Sequence, residues 1–91
     1  MVPELIAATY ITEYTIQFCF ADGVVADVDL KDELWGEVFE PLKDVEVFKS
    51  FTFDKELNTV TWTSGADFAP EFLYERASAK ASAAEDGVSR R

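Results

Sequence analysis

The sequence predicts a small α+β domain, in which a small antiparallel sheet, made of a three-strand meander and a two-strand hairpin, accompanies two or three short helices. Apolar and polar residues alternate along residues 14–20, with the period of a half-buried strand. Asp22-Gly23 directly follows this run and suits the positive φ angles of a hairpin turn. Pro70 precedes a short amphipathic pattern, at the position where a helix tolerates its missing N–H.

The meander begins with a strand at residues 5–11, which Thr12-Glu13 connects to the strand at residues 14–20. In this second strand, large apolar side chains fall on one face and smaller or polar ones on the other. A turn at residues 21–23 then leads into a third strand at residues 24–29. Short connections of this kind predict antiparallel neighbours.

The segment after the meander predicts short helical pieces. Asp29 is expected to cap a short helix that runs to about Trp35, because its carboxylate can accept the unpaired N–H groups of the first turn. Gly36 is expected to end that helix. Residues 40–43 indicate a helical turn, and residues 45–49 fit either a helix or a loop.

Two further strands, residues 51–53 and 59–63, predict a hairpin around a turn at residues 54–58. In the second of these strands, a valine and a tryptophan share one face and three threonines share the other. Gly65 allows the chain to turn. The final helix is expected to cover about residues 70–77.

A single folded domain is expected to span residues 1–77. Residues 78–91 are rich in alanine and serine, and they offer too little apolar surface to offset the entropy of ordering them. They predict either a flexible C-terminal tail or a helix that continues into a frayed end, because alanine favours the helix.

The net charge of −10 argues against partners that carry phosphate. Residues 1–76 hold 16 acidic and 5 basic residues, a net charge of −11, while residues 77–91 hold 2 acidic and 3 basic residues, a net charge of +1. Such an acidic body repels nucleic-acid backbones and anionic membrane surfaces. Direct binding to DNA or RNA and association with membranes are therefore not expected, and no cofactor-binding motif is present.

The single cysteine, Cys19, favours a cytoplasmic location, because it cannot form an intramolecular disulfide. The N-terminus lacks the basic start and apolar run of a signal peptide. As a nucleophile, Cys19 would need a base, and the chain has no histidine. A packing role inside a strand is the simpler interpretation, and the protein is not expected to be an enzyme.

The candidate functional surface lies at the junction between the last strand and the final helix. Its residues are Trp62, Gly65, Asp67, Pro70 and Glu71. Asp67 and Glu71 form a possible pair of carboxylates for acid–base chemistry, but Asp67 precedes the helix, and an aspartate in a turn commonly binds backbone N–H groups instead. No catalytic, cofactor-binding or metal-binding residue is assigned.

Two larger groups of residues have both a functional and a structural interpretation. One is acidic and offers the oxygen ligands that calcium and magnesium prefer, but its spacing is not that of an EF-hand, and solvated charges at a strand exit and helix start are the simpler interpretation: Asp27, Asp29, Asp32 and Glu33. The other is aromatic, and core packing explains most of it, while any exposed cluster would mark a partner site: Trp35, Phe39, Phe48, Trp62, Phe68 and Phe72.

Four segments carry a family resemblance, and they are Phe18-Cys19-Phe20-Ala21-Asp22-Gly23, Asp27-Val28-Asp29-Leu30, Phe39-Glu40-Pro41-Leu42-Lys43-Asp44 and Trp62-Thr63-Ser64-Gly65-Ala66-Asp67-Phe68-Ala69-Pro70-Glu71. In this order they resemble the prokaryotic domain-of-unknown-function family 2442, over about residues 14–74. The resemblance implies a small α+β fold with a strand meander and a prokaryotic, cytoplasmic setting. It also implies relatives that carry a helix-turn-helix domain or lie beside suspected toxin–antitoxin genes, and it supplies no catalytic residues.

The sequence therefore favours a non-catalytic protein-interaction or regulatory module, with any toxin–antitoxin association implied by the family alone. The expected partner is a protein, either a basic one or a second copy of the chain in a homodimer. An open sheet leaves edge strands, and an edge can pair with a strand of the partner. The alternative is a protein that binds a small ligand or a divalent metal at the acidic cluster or at the Asp67 turn.

Overall fold

A computed structural model describes the backbone of residues 2–89 and the side chains of residues 2–81. These residues form two antiparallel sheets, two α-helices and two 3₁₀ segments, the α+β architecture that the sequence predicts. The elements are β1 (Leu5–Thr12), β2 (Thr15–Phe20), β3 (Val25–Asp29), a first 3₁₀ segment (Lys31–Glu33), a second 3₁₀ segment (Glu37–Lys43), α1 (Val45–Phe48), β4 (Thr52–Asp54), β5 (Thr59–Thr61) and α2 (Pro70–Ser89). Within residues 2–89, none of the helices combines the length and the apolar composition that crossing a bilayer requires.

β2 is the central strand of the meander, with β1 and β3 antiparallel on its two sides. Ile16, Phe18 and Phe20 are buried, whereas the residues between them are partly exposed. The alternation of the sequence thus predicts both the strand and its buried face correctly, because successive side chains of a strand point to opposite faces.

Both turns of the meander use residues with positive φ. At the first turn Glu13 has a φ of 48°, and the connection lies one residue later than predicted, because a register shift in β1 extends that strand through Thr12. At the second turn Gly23 has a φ of 97°, and the Asp22 carboxylate accepts the N–H of Val24 at 3.1 Å. The predicted aspartate-glycine hairpin is confirmed.

The segment after β3 begins as predicted but forms a shorter helix. The Asp29 carboxylate accepts the N–H of Lys31 at 3.0 Å, the hydrogen bond that the sequence predicts, but the residue at the cap position is Leu30 and not Asp29. The helix is then a single 3₁₀ turn that stops before Trp35, because Leu30 on one side of it and Leu34 on the other are both buried. The chain therefore returns to the core at Leu34, and Trp35 begins an exposed stretch.

Two short helical segments lead from there to the second sheet. Gly36 has a φ of 96° and precedes the second 3₁₀ segment, so this glycine starts a helical segment instead of ending one. Of the two predicted possibilities for residues 45–49, a helix or a loop, the structure has a helix, α1. The Asp44 carboxylate caps α1 by accepting the N–H of Glu46 at 3.0 Å. Phe48, which is buried, anchors α1 in the core.

β4 and β5 form the predicted hairpin as a separate two-stranded sheet. β5 ends at Thr61, short of its predicted end, because the N–H of Trp62 turns to the C=O of Ala66 at 3.0 Å. Thr59 lies on the face that the alternation assigns to threonines, yet it is buried, and its hydroxyl donates to the C=O of Phe68 at 2.6 Å. This bond satisfies a buried hydroxyl and fastens the following loop onto β5.

α2 begins at Pro70, as predicted, but it runs to Ser89 instead of ending near residue 77. Leu73 and Ala77 are buried, and the helix packs along β3. The alanine-rich stretch continues the helix because alanine has the highest helix propensity, which was the second of the two alternatives for this stretch. The predicted border between domain and tail falls inside the helix, and the last two residues of the chain lie outside the described residues.

Candidate interaction site

A groove opens on the surface where the segment after β3 meets the start of α2. Its volume is about 250 Å³. We call it the aromatic groove, and its lining residues are Glu33, Trp35, Phe39, Asp67, Phe68, Ala69 and Phe72. Because this lining combines four aromatic rings with two carboxylates, the site offers π faces and negative charge together.

Two stretches of the chain supply the groove, residues 33–39, which include Phe39 of the second 3₁₀ segment, and residues 67–72. The first 3₁₀ segment ends at Glu33, and because Leu34 turns into the core, its neighbour Trp35 is left on the exposed side. Residues 67–69 come from the loop that follows β5, and Phe72 comes from the first turn of α2. The groove thus depends on the docking of α2 and of the loop before it.

The rings on the buried side of the groove form one contiguous aromatic cluster. The ring centroid of Phe68, which is buried, lies 5.1 Å from that of Phe39 and 5.4 Å from that of Phe72. The rings of Phe68 and Phe72 are within 17° of parallel, and the Trp62 ring packs edge-on against Phe68 at 5.9 Å. Ring contacts of this geometry hold each other in place, so the groove is formed in the absence of a partner.

Trp35 borders the groove and is the most exposed large hydrophobic side chain of the described residues, with 73% of its surface accessible. Trp62, by contrast, is 5% exposed, and its indole N–H donates to the C=O of Phe48 at 2.8 Å. Tryptophan is highly buried on average. An exposed tryptophan beside an apolar groove is therefore typical of an interaction surface.

A cation of the chain itself sits at the border of the groove. The guanidinium carbon of Arg76 lies 4.7 Å from the centroid of the Phe72 ring, and its Nη2 donates to Glu33 Oε2 at 2.7 Å. A cation–π contact and a charge-assisted hydrogen bond thus act on one guanidinium. Arg76 thereby neutralises the Glu33 carboxylate.

Asp67 is the one residue of the predicted surface that lines the groove. Its side chain is exposed, and among the described residues its carboxylate accepts no hydrogen bond. The expectation that it binds backbone N–H groups of its turn is therefore wrong. The turn is held instead by the Gly65 N–H, which donates to the C=O of Trp62 at 3.0 Å, and by the Ser64 hydroxyl, which donates to the C=O of Val38 at 2.8 Å.

The other residues of the predicted surface have structural positions. Trp62 lies in the core, and Gly65 has a φ of 95° in the exposed turn. Pro70 is the first residue of α2, and Glu71 is exposed in its first turn. Asp67 lies before the helix, as expected, so it does not share a helical face with Glu71.

Sequence reasoning named the aromatic residues of the groove but did not separate them from the core. The best signal lies in Leu34-Trp35-Gly36, where a tryptophan stands between an apolar residue and a glycine. A glycine with positive φ at a chain reversal is a common place for a neighbouring side chain to be left outside the core.

Three of the four acidic residues of the alternative metal site are engaged separately. Asp29 accepts the N–H of Lys31, Asp27 accepts a hydrogen bond from the Gln17 side chain at 3.2 Å, and Glu33 pairs with Arg76. Across the part of the chain that the structure describes, no three potential ligands come together as a metal site would need.

Cys19 lies on the outer face of the meander and is partly exposed. Its register neighbours are Ala7 of β1 and Val25 of β3, both of them apolar. The packing role that the sequence suggests for Cys19 therefore stays a prediction.

Most of the chain matches one known protein family. No curated protein and no solved structure matches the chain. Residues 5–79 match the model of a family described as a protein of unknown function, DUF2442, and this match confirms the resemblance carried by the four segments. The chain therefore belongs to the DUF2442 family.

Proposed function

We propose that this protein is a non-catalytic, cytoplasmic interaction or regulatory module that binds another protein through the aromatic groove. The observation that carries the proposal is the 73% exposure of Trp35 beside a groove whose other rings pack against one another. Tryptophan is enriched among the residues that dominate binding energy at protein interfaces.

The geometry favours binding because the groove needs little rearrangement. Phe68 is packed between Phe39 and Phe72, so these rings lose little freedom when a partner arrives. Covering the Trp35 side chain would also remove a large apolar surface from water. Both effects support the aromatic groove as the centre of an interface.

The charge of the chain supports a basic protein as the partner. A net charge of −10 attracts a basic surface and accelerates encounter with it, whereas it repels nucleic acids. Asp67, the carboxylate of the groove that Arg76 does not neutralise, extends the same preference to the site itself.

Site-specific photo-crosslinking tests this function. A benzophenone amino acid replaces Trp35 in the full chain, in the native cells, and in a matched strain it replaces Leu57, which is 52% exposed in the turn between β4 and β5. We expect a discrete covalent adduct with a second protein from position 35 and none from position 57. Equal adducts from both positions, or no adduct from position 35, would contradict the proposal.

The outer edge of β1, beyond Leu5, whose N–H donates to Asn58, supports a second interface, for a second copy of the chain. β1 carries no charged residue, and Ile6 and Ile11 are 54% and 42% exposed. At the opposite edge of the sheet, by contrast, Lys80 Nζ donates to the C=O of Asp27 at 2.8 Å. Natural edge strands usually carry charges that prevent pairing, and β1 has none.

Sedimentation equilibrium tests this self-association. The wild-type chain is expected to form a dimer that the double substitution Ile6→Lys and Ile11→Lys converts to a monomer. Val25→Lys, at an exposed apolar position of β3, is the control and should leave the dimer intact. A wild-type chain that stays monomeric at several hundred micromolar would refute the β1 interface.

A further inference from the structure

We propose that the aromatic groove receives an arginine side chain of a basic partner segment, with the guanidinium stacked on Trp35 and paired with Asp67. This inference rests on the proposed interaction function and names the chemistry of the partner. It is carried by the charge of the groove, by the arrangement of Arg76, and by the unused groups that Trp35 and Asp67 present.

Arg76 shows what chemistry the border of the groove accommodates. Its guanidinium contacts the Phe72 ring at 4.7 Å and the Glu33 carboxylate at 2.7 Å, so an aromatic face and a carboxylate hold one planar cation between them. The combination suits arginine in particular, because a guanidinium can stack through its face while its edge donates hydrogen bonds.

Trp35 and Asp67 present the same two groups without an occupant among the described residues. The Trp35 side chain is largely exposed, and it makes none of the ring–ring or cation–π contacts that join the other aromatic residues of the groove. The Asp67 carboxylate accepts no hydrogen bond from the described residues. Tryptophan is the best cation–π acceptor among the side chains, and a carboxylate is the best partner for the edge of a guanidinium.

Other occupants fit this site less well. An apolar side chain would cover Asp67 without providing a hydrogen bond, and burying an unpaired carboxylate is costly. A lysine would satisfy the charge, but its compact ammonium is more strongly hydrated and does not stack. The site therefore selects arginine over leucine strongly and over lysine moderately.

Peptide titration followed by NMR tests the inference on the ¹⁵N-labelled full chain. The probes are four capped nine-residue peptides of glycine, serine and two lysines that differ only at the central residue, which is arginine, lysine, citrulline or leucine. Citrulline keeps the shape of arginine and removes the charge. The indole N–H of Trp35 is the reporter, and the indole N–H of Trp62, bonded to Phe48, is the internal control.

We expect the arginine peptide to shift the Trp35 indole and the Asp67 amide with a saturable response, and the citrulline and leucine peptides to bind at least tenfold more weakly. Asp67→Asn should weaken arginine binding on the order of tenfold, as expected for the loss of one charge-assisted hydrogen bond. Glu71→Gln is the matched control, because it removes one negative charge in the first turn of α2 outside the groove.

Three results would overturn the inference: equal affinity for the arginine and citrulline peptides, equal effects of Asp67→Asn and Glu71→Gln, or shifts spread over the acidic surface without saturation at Trp35. If position 35 crosslinks to a protein but arginine peptides fail in this way, the interaction function stands and only the arginine assignment falls. If arginine peptides bind but position 35 yields no protein adduct, the protein-interaction function falls and a site for a guanidinium ligand remains.

Discussion

Trp35 and Trp62 are the same residue type in opposite environments, and they therefore respond differently to the same substitution. Trp62→Phe is expected to lower the free energy of unfolding by about 2–4 kcal/mol, because it removes buried volume and leaves the C=O of Phe48 without its donor. Trp35→Phe should change it by less than about 0.5 kcal/mol, because Trp35 is exposed. Urea unfolding measures both, and similar losses for the two variants would show that Trp35 is packed.

Tyr74 and Asp22 form a second pair of residues whose partnership the sequence does not reveal. The Tyr74 hydroxyl donates to Asp22 Oδ2 at 2.5 Å, and its ring packs edge-on against Phe20 at 5.1 Å. This hydrogen bond is the main cause that lowers the pKa of Asp22 and the main cause that raises the pKa of Tyr74. It links the second turn of the meander to α2.

The stability that this bond provides should depend on pH at both ends of the scale. Because the pKa of Asp22 is lower in the folded protein, the stability that its carboxylate contributes is complete above the unfolded pKa, about 4. This stability is lost as the pH falls through the pKa of the folded protein. Because the pKa of Tyr74 is higher in the folded protein, the stability that its hydroxyl contributes is complete below about pH 10. This stability is lost as the pH rises through the pKa of the folded protein. The melting-temperature difference between wild type and Tyr74→Phe should thus be largest near neutral pH.

Asp22→Asn provides the control for this pH dependence. In the Asp22→Asn background, the melting-temperature difference caused by Tyr74→Phe should no longer become smaller below pH 4, because the carboxylate that titrates there is gone. A difference between wild type and Tyr74→Phe that stays constant from pH 3 to pH 11 would contradict the assignment of both pKa shifts to this hydrogen bond.

At the scale of elements, local signals predict the structure well where they are strong. The alternation along β2 and the turn at Asp22-Gly23 predict the meander correctly, and Pro70 predicts the residue at which α2 begins. The short helical segments are predicted less well, since a single turn is stabilised by burial of residues such as Leu30 and Leu34 more than by local propensity. Their ends are set by the core, which a local pattern does not describe.

The length of α2 provides a test at this scale. Because the helix continues past Ala77, Ala79→Pro should remove a helical hydrogen bond, lower the helical circular-dichroism signal at 222 nm and reduce the free energy of unfolding by up to about 3 kcal/mol. Ala79→Ser, at the same exposed position, should cost only about 0.5 kcal/mol. An Ala79→Pro variant indistinguishable from Ala79→Ser would indicate that the helix ends near residue 77.

At the scale of the whole molecule, the groove shows why sequence reasoning found only part of the site. It joins Glu33, Trp35 and Phe39 to residues 67–72, which lie far away along the chain. Asp67 was found because it stands in a recognisable strand-to-helix junction. The exposure of Trp35 could not be predicted in this way, because it depends on the burial of its neighbour Leu34, which is a property of the assembled fold.

The excess of negative charge is also a property of the whole molecule, and it should make stability depend on salt. Residues 1–76 carry a net charge of −11, and the Cα radius of gyration is 13.3 Å. Raising the salt concentration from 10 to 100 mM shortens the screening length from about 30 Å to about 10 Å, so repulsion across the molecule is felt at the lower concentration and screened at the higher one. Because folding brings these like charges together, the melting temperature should rise with added NaCl.

The ion pair between Arg76 and Glu33 opposes this trend only weakly, because its 2.7 Å separation is much shorter than either screening length. A variant that carries both Glu71→Gln and Glu75→Gln changes the net charge of residues 1–76 from −11 to −9 and should show a smaller rise in melting temperature over the same salt range. Thermal unfolding of both proteins at the two salt concentrations measures the effect. A wild-type melting temperature that falls with salt would mean that attractive ion pairs, and not the excess of negative charge, dominate the electrostatics of the fold.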